Sequence, residues 1–443
     1  MTINTGVAFA CVLVATCAGA PAFAQTASAG TQERLALQLA ALQRAAIEAD
    51  PRTRELALQQ TQTDLRLRNI AVQRLPAVTV EGLAQYQSDV PTAPFTLPTG
   101  QPLFSPPKTT FDGHLRIDQR LFDPSVSVQS AVERAQLDEN QARVRTALYA
   151  RRQAVNDAFF AAALLQQRAA ALAGAVKDLE ARLHETETRV REGAALTADA
   201  ETVEATLLQR RQDEAAVHAD RKAALARLAK ITGRAIDESD VLALPDTAAA
   251  VAEARRAPDQ LRGRPEYAQF SRSRTRIARQ QDAAAAQNLP RLSAFARVGY
   301  GRPGLNFISD QFETYGLGGI QLQWKAWTWG ASDREQEALA LQQQIVDADQ
   351  AAFTNALDEA IEGDLATIDR LRDTLASDDR IVALRESIDR STRVRLDEGV
   401  VTAAEYVDRS ADLLQARYNR AGHEVELAQA SARFLTTLGV EVP

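Results

Sequence analysis

An internal repeat is the feature that most constrains how this chain folds. Two prolines and a tyrosine of the first half return at one common offset of 214 (265 − 51): Pro51, Pro76 and Tyr86 match Pro265, Pro290 and Tyr300. Further along the chain the offset is 206 (399 − 193), where Arg189–Gly193 matches Arg395–Gly399 and Gly233 matches Gly439. Anchors that keep a common offset over long distances indicate two copies of one structural unit.

Each copy contains two segments in which apolar and polar residues alternate. We expect strands over 77–87 and 111–122 in the first copy, and over 291–301 and 312–327 in the second. Segments of about ten alternating residues have the length of a tilted membrane strand. Since the smallest closed membrane barrels need about eight strands, four strands from one chain require further copies of the chain.

Each strand pair is followed by a long helical pattern without an internal proline, over 124–192 and 331–398. At about 1.5 Å per residue, such a run would extend roughly 100 Å. Apolar residues recur in steps of three and four, as in a bundle or coiled coil. A glycine then turns the chain, and a second helix returns to Gly233 or Gly439. The sequence therefore predicts an α+β fold that consists mostly of two helical hairpins, 124–233 and 331–439.

The N-terminus indicates export. An uncharged apolar run, Val7–Ala20, precedes Ala22-Phe23-Ala24, which fits cleavage after residue 24 and a signal peptide over 1–24. Both cysteines, Cys11 and Cys17, lie in this segment, and whether Cys17 carries a lipid stays open. We expect no later helix that is apolar enough to cross a membrane.

Composition and motifs exclude several function classes. The net charge of -7 disfavours nucleic acid as a partner. The sequence shows no phosphate loop, nucleophile elbow or cluster of histidines and acids, so we expect neither an enzyme nor a cofactor or metal site. The tryptophans Trp324, Trp327 and Trp329 are interpreted either as an aromatic girdle at the membrane interface or as packing where a strand becomes a helix.

Three local motifs give this architecture a family resemblance. They are Arg264-Pro265-Glu266-Tyr267, Gln119–Asp123 (QRLFD) and Trp324–Gly330 (WKAWTWG). With the signal peptide and the repeat, they resemble the TolC-like outer membrane efflux protein (outer membrane factor) family over essentially the whole mature chain. We accordingly divide the chain into a first repeat (25–233), a linker or equatorial segment (234–264) and a second repeat (265–443).

The resemblance implies a function as well as a fold. A homotrimer would share a twelve-stranded β-barrel in the lipid of the bacterial outer membrane, and its helices would form a tunnel through the periplasm. Such a channel is a passive conduit of a tripartite efflux or type I secretion system. It opens when a periplasmic adaptor (membrane fusion protein) and an inner-membrane RND or ABC transporter dock. Drugs, metal ions and polypeptides all remain possible substrates. The alternative is a periplasmic coiled-coil or adaptor protein without a pore, although an adaptor would have one hairpin rather than two.

The resemblance also implies site residues at the two hairpin tips. Asp199, Glu405 and Asp408 match the acids that narrow the channel, and each would form a ring of three negative charges in a trimer. The basic residue that locks the gate in some members is absent, so we expect Arg395 or Arg409 to contribute instead. The residues implied in adaptor docking are Arg191, Gly193, Leu196 and Thr197 in the first tip, and Gly399, Val400, Val401 and Thr402 in the second.

Overall fold

The structure of the chain is a computed structural model that describes residues 37–90, 106–256, 263–306 and 310–443. The predicted signal peptide, both cysteines and most of the proline-rich loop between the first two strands lie outside the described residues.

The described residues form helices and one sheet in the predicted order. The helices are α1 (Leu39–Ala49), α2 (Arg52–Val72), α3 (Pro124–Tyr149), α4 (Arg151–Arg191), α5 (Thr197–Thr232), α6 (Ala248–Arg256), α7 (Pro265–Ala286), α8 (Ala331–Asp397) and α9 (Ala403–Leu438). The strands are β1 (Ala77–Tyr86), β2 (Thr109–Phe122), β3 (Arg291–Arg302) and β4 (Glu313–Gln323). Helix α5 follows α4 as a hairpin, and α9 follows α8 in the same way.

The two long helices differ in continuity. Helix α8 runs unbroken for 67 residues, whereas the matching run in the first repeat is interrupted at Ala150. The helical pattern predicted over 124–192 is present and has one interruption, at this residue. The residues on both sides are tied to other elements: the Tyr149 hydroxyl donates to the carbonyl of Thr436 at 2.5 Å, and Arg151 pairs with Asp50 at 2.8 Å. Ala150 keeps helical backbone angles, so the irregularity is local.

The four strands form one antiparallel sheet in the order β1-β2-β3-β4. Its register aligns apolar residues of neighbouring strands on one face, as in the row Val80, Leu115 and Val298. Most of these side chains are exposed, because none of the described helices covers this face of the sheet. Among the described residues, β1 pairs only with β2 and β4 only with β3. Both outer edges therefore carry unpaired backbone groups, which favour pairing with another strand.

The strands differ most from the sequence prediction at two points. A bulge in β2 between Arg120 and Phe122 gives one extra residue, so Leu121 leaves the predicted alternation. Strand β4 ends at Gln323 rather than at residue 327. Gln323 pairs with Arg291, the first residue of β3, and the preceding Pro290 has no N–H to continue the ladder.

The largest core cluster lies where α1, α4, α5, α6, α8 and α9 pack together. Helix α4 contributes a dense apolar tract to it, including Val155, Phe159 and Phe160. By length and composition, the helical stretch Pro124–Arg191 contains a window apolar enough to cross a membrane. The expectation that no such helix exists is therefore wrong on composition. Of that window 33 % is buried within the described chain, and core helices contain such apolar stretches as well.

The repeat is also visible in three dimensions, with one exchange of charge. Asp50 accepts two hydrogen bonds from the Arg52 guanidinium, at 3.0 and 2.8 Å, at the start of α2. At the start of α7 the same bidentate arrangement joins Arg264 to Glu266. Arg264 thus occupies the position equivalent to Asp50, and Glu266 occupies the position equivalent to Arg52. The geometry is kept while the polarity is reversed.

Asp50 gives a prediction for acid stability. Hydrogen bonds from Arg52 lower the pKa of this buried carboxyl from 3.8 to about 2. Because the folded pKa is depressed, the stabilisation is complete above pH 3.8 and is lost as the pH falls towards about 2. The shift corresponds to about 2 kcal/mol. We expect Asp50→Asn to flatten the fall in thermal stability between about pH 4 and 2, measured by circular dichroism melts of the detergent-solubilised protein. An unchanged pH dependence in the variant would contradict this role for Asp50.

Candidate functional site at the hairpin tips

The two hairpin tips, which occupy equivalent places in the repeat, have the same backbone geometry. Gly193 and Gly399 both adopt left-handed angles, with φ of 72° and 77°. In each tip the next residue donates a hydrogen bond to a carbonyl five residues back, Ala194 to Arg189 and Val400 to Arg395, both at 2.8 Å. Glycine adopts positive φ without the strain that a Cβ imposes, which is why helices commonly end this way.

The two tips meet around a cavity of about 420 Å³. Six of the eight predicted docking residues line it, namely Gly193, Leu196, Gly399, Val400, Val401 and Thr402. Leu196 and Val400 are largely exposed, whereas Val401 is buried against Leu396 and Tyr406. Arg191 and Thr197 lie outside the cavity lining. The tips thus present an exposed apolar surface with a concave centre.

The predicted constriction acids occupy different positions. Asp199 is bound at the tip: its carboxylate accepts from the backbone N–H of Leu196 and from that of Ala403 in the other hairpin, both at 3.3 Å. Glu405 is the equivalent residue of the second repeat and lies in the first turn of α9, where the Thr402 hydroxyl caps its backbone N–H. Asp408 follows one turn later and is exposed. Asp199 therefore joins the two tips, while Glu405 and Asp408 share one face of α9.

A buried arginine close to the tips connects the two hairpins. Arg182 of α4 is only 2 % exposed and pairs with Asp397 at the end of α8 at 2.6 Å. Its guanidinium also pairs with Glu185 at 2.7 Å and lies over the ring of Tyr406 in α9, 5.2 Å from the ring centre. Arg189 adds a hydrogen bond to the carbonyl of Leu396 at 3.1 Å. Burial raises the pKa of Tyr406, which keeps this phenol neutral.

Sequence reasoning did not identify this network. The sequence nevertheless contains one signal of it. An apolar seam of α4 runs through Leu172, Val176 and Leu179 at steps of four and three, and its next position holds the charged Arg182. The two basic candidates that it did name have other surroundings. Arg409 pairs with Asp412 in its own helix at 3.5 Å. Arg395 is exposed, without an ion-pair partner among the described residues.

The polar face of the sheet carries a second cluster. His114 of β2 lies between two carboxylates, with Asp112 at 2.8 Å from Nδ1 and Glu81 of β1 at 3.2 Å from Nε2. The Tyr315 hydroxyl of β4 donates to Asp112 at 2.6 Å. Gly299 lies between the Tyr315 ring and the Cβ of His114, so that a Cβ on Gly299 would lie 2.6 Å from the tyrosine ring. The two carboxylates flank the imidazole on opposite sides, so they cannot share one metal ion with it.

The tryptophans of the junction between β4 and α8 are largely exposed. The indole Nε1 of Trp324 donates a hydrogen bond to the carbonyl of Asn288 at 2.9 Å. The Trp324 ring itself lies outside the core. Trp327 and Trp329 pack edge to face with each other. Their exposure favours the girdle interpretation over packing inside the chain.

Comparison with known proteins identifies the fold. A family model described as outer membrane efflux protein matches residues 42–234. Among solved structures, the chain is similar to CusC, with 14 % identity, a TM-score of 0.66 and coverage of 92 % of this chain and 93 % of that one. It is also similar to VceC from Vibrio cholerae (14 % identity, TM-score 0.64, 91 % and 96 % covered). A third match is the open state of MtrE from Neisseria gonorrhoeae (16 % identity, TM-score 0.63, 91 % and 89 % covered). No curated protein sequence matches. The resemblance to outer membrane efflux proteins and the predicted α+β fold are confirmed.

Proposed function

We propose that this chain, whose residues 42–234 match the outer membrane efflux protein model and whose fold is similar to that of CusC, is the channel subunit of a tripartite export complex. It lies in the bacterial outer membrane and extends into the periplasm. Three copies close a twelve-stranded barrel, and their hairpins form the periplasmic tunnel. A periplasmic adaptor docks at the tips, and an RND or ABC transporter of the inner membrane supplies the energy.

The observation that carries this proposal is the sheet. Its apolar face is exposed, its polar face carries Glu81, Asp112 and His114, and both of its edges are open. In water such a sheet would aggregate, whereas in a membrane the apolar face meets lipid and further copies satisfy the edges. A periplasmic adaptor without a pore would not need an exposed apolar sheet face together with unpaired sheet edges.

Fractionation and gel migration test the proposal. We expect the protein in the outer-membrane fraction, soluble only in detergent, and migrating as a trimer on SDS gels unless it is boiled. Reconstituted into planar bilayers, it should give discrete single-channel conductance. A monomer in the soluble periplasmic fraction would overturn the proposal and favour the alternative without a pore.

The acids of the second tip give a prediction for ion selectivity. In a trimer, Glu405 and Asp408 would form two rings of negative charge, which concentrate cations at the entrance. We expect Glu405→Gln/Asp408→Asn to lower the ratio of cation to anion permeability, measured from reversal potentials in a salt gradient.

A matched control pair lies higher on α8. Glu359 and Glu362 have the same spacing of three residues and are exposed, but they lie many helical turns before Gly399 along the chain. Glu359→Gln/Glu362→Gln should therefore change selectivity less than the tip pair. Equal effects of both pairs, or no effect of the tip pair, would exclude the constriction role.

A further inference from the structure

Two apolar surfaces near the tips remain exposed in the part of the chain that the structure describes. Ile381, Leu384 and Ile388 follow one another on α8 at steps of three and four, and all are exposed, Ile381 by 46 %. On α5, Leu208 is 51 % exposed. Within the chain α5 packs on α4, α4 on α9 and α9 on α8, so α5 and α8 lie at the two ends of this layer.

The repeat relates these surfaces to an interface that the chain already contains. The offset between the two hairpins holds in three dimensions, because Arg211 pairs with Glu180 at 2.7 Å and the equivalent Arg417 pairs with Glu386 at 2.9 Å. This offset of 206 residues maps α4 onto α8 and α5 onto α9. The contact between α4 and α9 inside one chain therefore has a counterpart between α8 and the α5 of another chain.

Individual residues follow this mapping. Ala175 of α4 and Leu414 of α9 line one small cavity in the interface between the hairpins. Their equivalents are Ile381 (175 + 206) and Leu208 (414 − 206), the exposed apolar residues of α8 and α5. Arg182 and Tyr406, which stack in the same interface, correspond to Ile388 and Ala200. The contact between copies would therefore be aliphatic at this position, whereas the contact within the chain places the Arg182 guanidinium over the Tyr406 ring.

From this correspondence we propose that α8 of one copy packs with Ile381, Leu384 and Ile388 against Leu208 and the neighbouring face of α5 in the next copy. The proposal rests on the trimeric channel proposed above and specifies its subunit contact. Both surfaces lie at similar heights above the tips, because α8 ends a few turns after Ile388 and α5 begins a few turns before Leu208.

The other residues on the exposed face of α5 are compatible with this contact. The face of α5 that carries Leu208 continues with exposed small residues, Ala215, Ala219 and Ala223, which allow another helix to approach closely.

Cysteine cross-linking tests the contact, since both native cysteines lie in the predicted signal peptide. We expect Leu208→Cys/Ile381→Cys trimers, oxidised with copper–phenanthroline, to shift from the monomer position to dimer and trimer positions on boiled, non-reducing gels. Co-expression of the two single variants should give a dimer band, because each chain then supplies only one thiol to this contact. The matched control Gln209→Cys/Ala383→Cys places thiols at neighbouring exposed positions on other sides of the same helices. This control variant should therefore stay at the monomer position on the boiled, non-reducing gel.

The outcomes separate this contact from the channel proposal. Unboiled trimers in all variants, with no cross-link at Leu208 and Ile381 or with an equal one in the control, would overturn the contact and leave the channel intact. A protein that forms no trimer in any variant would overturn both. In Ala175→Cys/Leu414→Cys, the equivalent thiols lie within one chain, so oxidation should leave the boiled protein at the monomer position.

Discussion

Asp397→Asn is expected to destabilise the proposed trimer by about 1 to 3 kcal/mol and to raise the open probability of the proposed channel. The substitution removes the charge that faces the buried Arg182 guanidinium and leaves it with Glu185 as its remaining partner. A buried charge that loses one of its two carboxylate partners keeps its desolvation cost, so the loss exceeds that of an exposed pair. Because the pair joins α4 to the end of α8, its loss also frees one tip from the other.

A double-mutant cycle separates the pair from its surroundings. Arg182→Met removes the buried charge and keeps most of the side-chain length, so Arg182→Met/Asp397→Asn should recover much of the lost stability while the tips remain disconnected. Thermal melts of the trimer in detergent measure the first effect, and single-channel recordings measure the second. Arg211→Met is the control, since the pair of Arg211 with Glu180 is about half exposed and should contribute less than about 1 kcal/mol. Unchanged gating in Asp397→Asn would restrict the network to a structural role.

The architecture could be predicted from the sequence where local chemistry decides it. Pro51 and Pro265 mark helix starts because proline lacks the N–H that the first turn leaves unbonded. Gly193 and Gly399 mark the tips because they adopt positive φ. The alternation in β2 gives its two faces, since successive side chains of a strand point in opposite directions. Each of these features depends on a few neighbouring residues.

The features that escaped prediction depend on contacts between distant residues. Arg182 and Asp397 lie in different repeats, and nothing near either residue in the sequence indicates the other. The family resemblance implied that Asp199 is a constriction acid, but it did not indicate that the Asp199 carboxylate accepts from the backbone N–H of Ala403 in the second hairpin. The interruption at Ala150 accompanies contacts of its neighbours with α9 and with the end of α1. The alignment of the repeats located these positions without showing what each one touches.

Gly299→Val is expected to reduce the fraction of folded trimer strongly. A Cβ at this position would lie 2.6 Å from the ring of Tyr315 and 2.8 Å from the Cβ of His114. The tyrosine would have to move, and it would then lose its hydrogen bond to Asp112. Overpacking of this kind costs about 1 to 3 kcal/mol, and it applies once per copy. The temperature at which the trimer dissociates on SDS gels should therefore fall.

The same sheet provides the control for this prediction. Gly316 of β4 pairs with Val298 on the opposite, apolar face, and a Cβ there would meet nothing within 4 Å. Gly316→Val should therefore be tolerated, because it adds a β-branched residue to an open surface. Gly299→Ala/Tyr315→Ala should melt above Gly299→Ala if the tyrosine ring is what the new methyl group displaces. If Gly299→Val melts like Gly316→Val, the cluster of Glu81, His114, Asp112 and Tyr315 does not hold the four strands together, and backbone pairing alone sets the stability of the barrel wall.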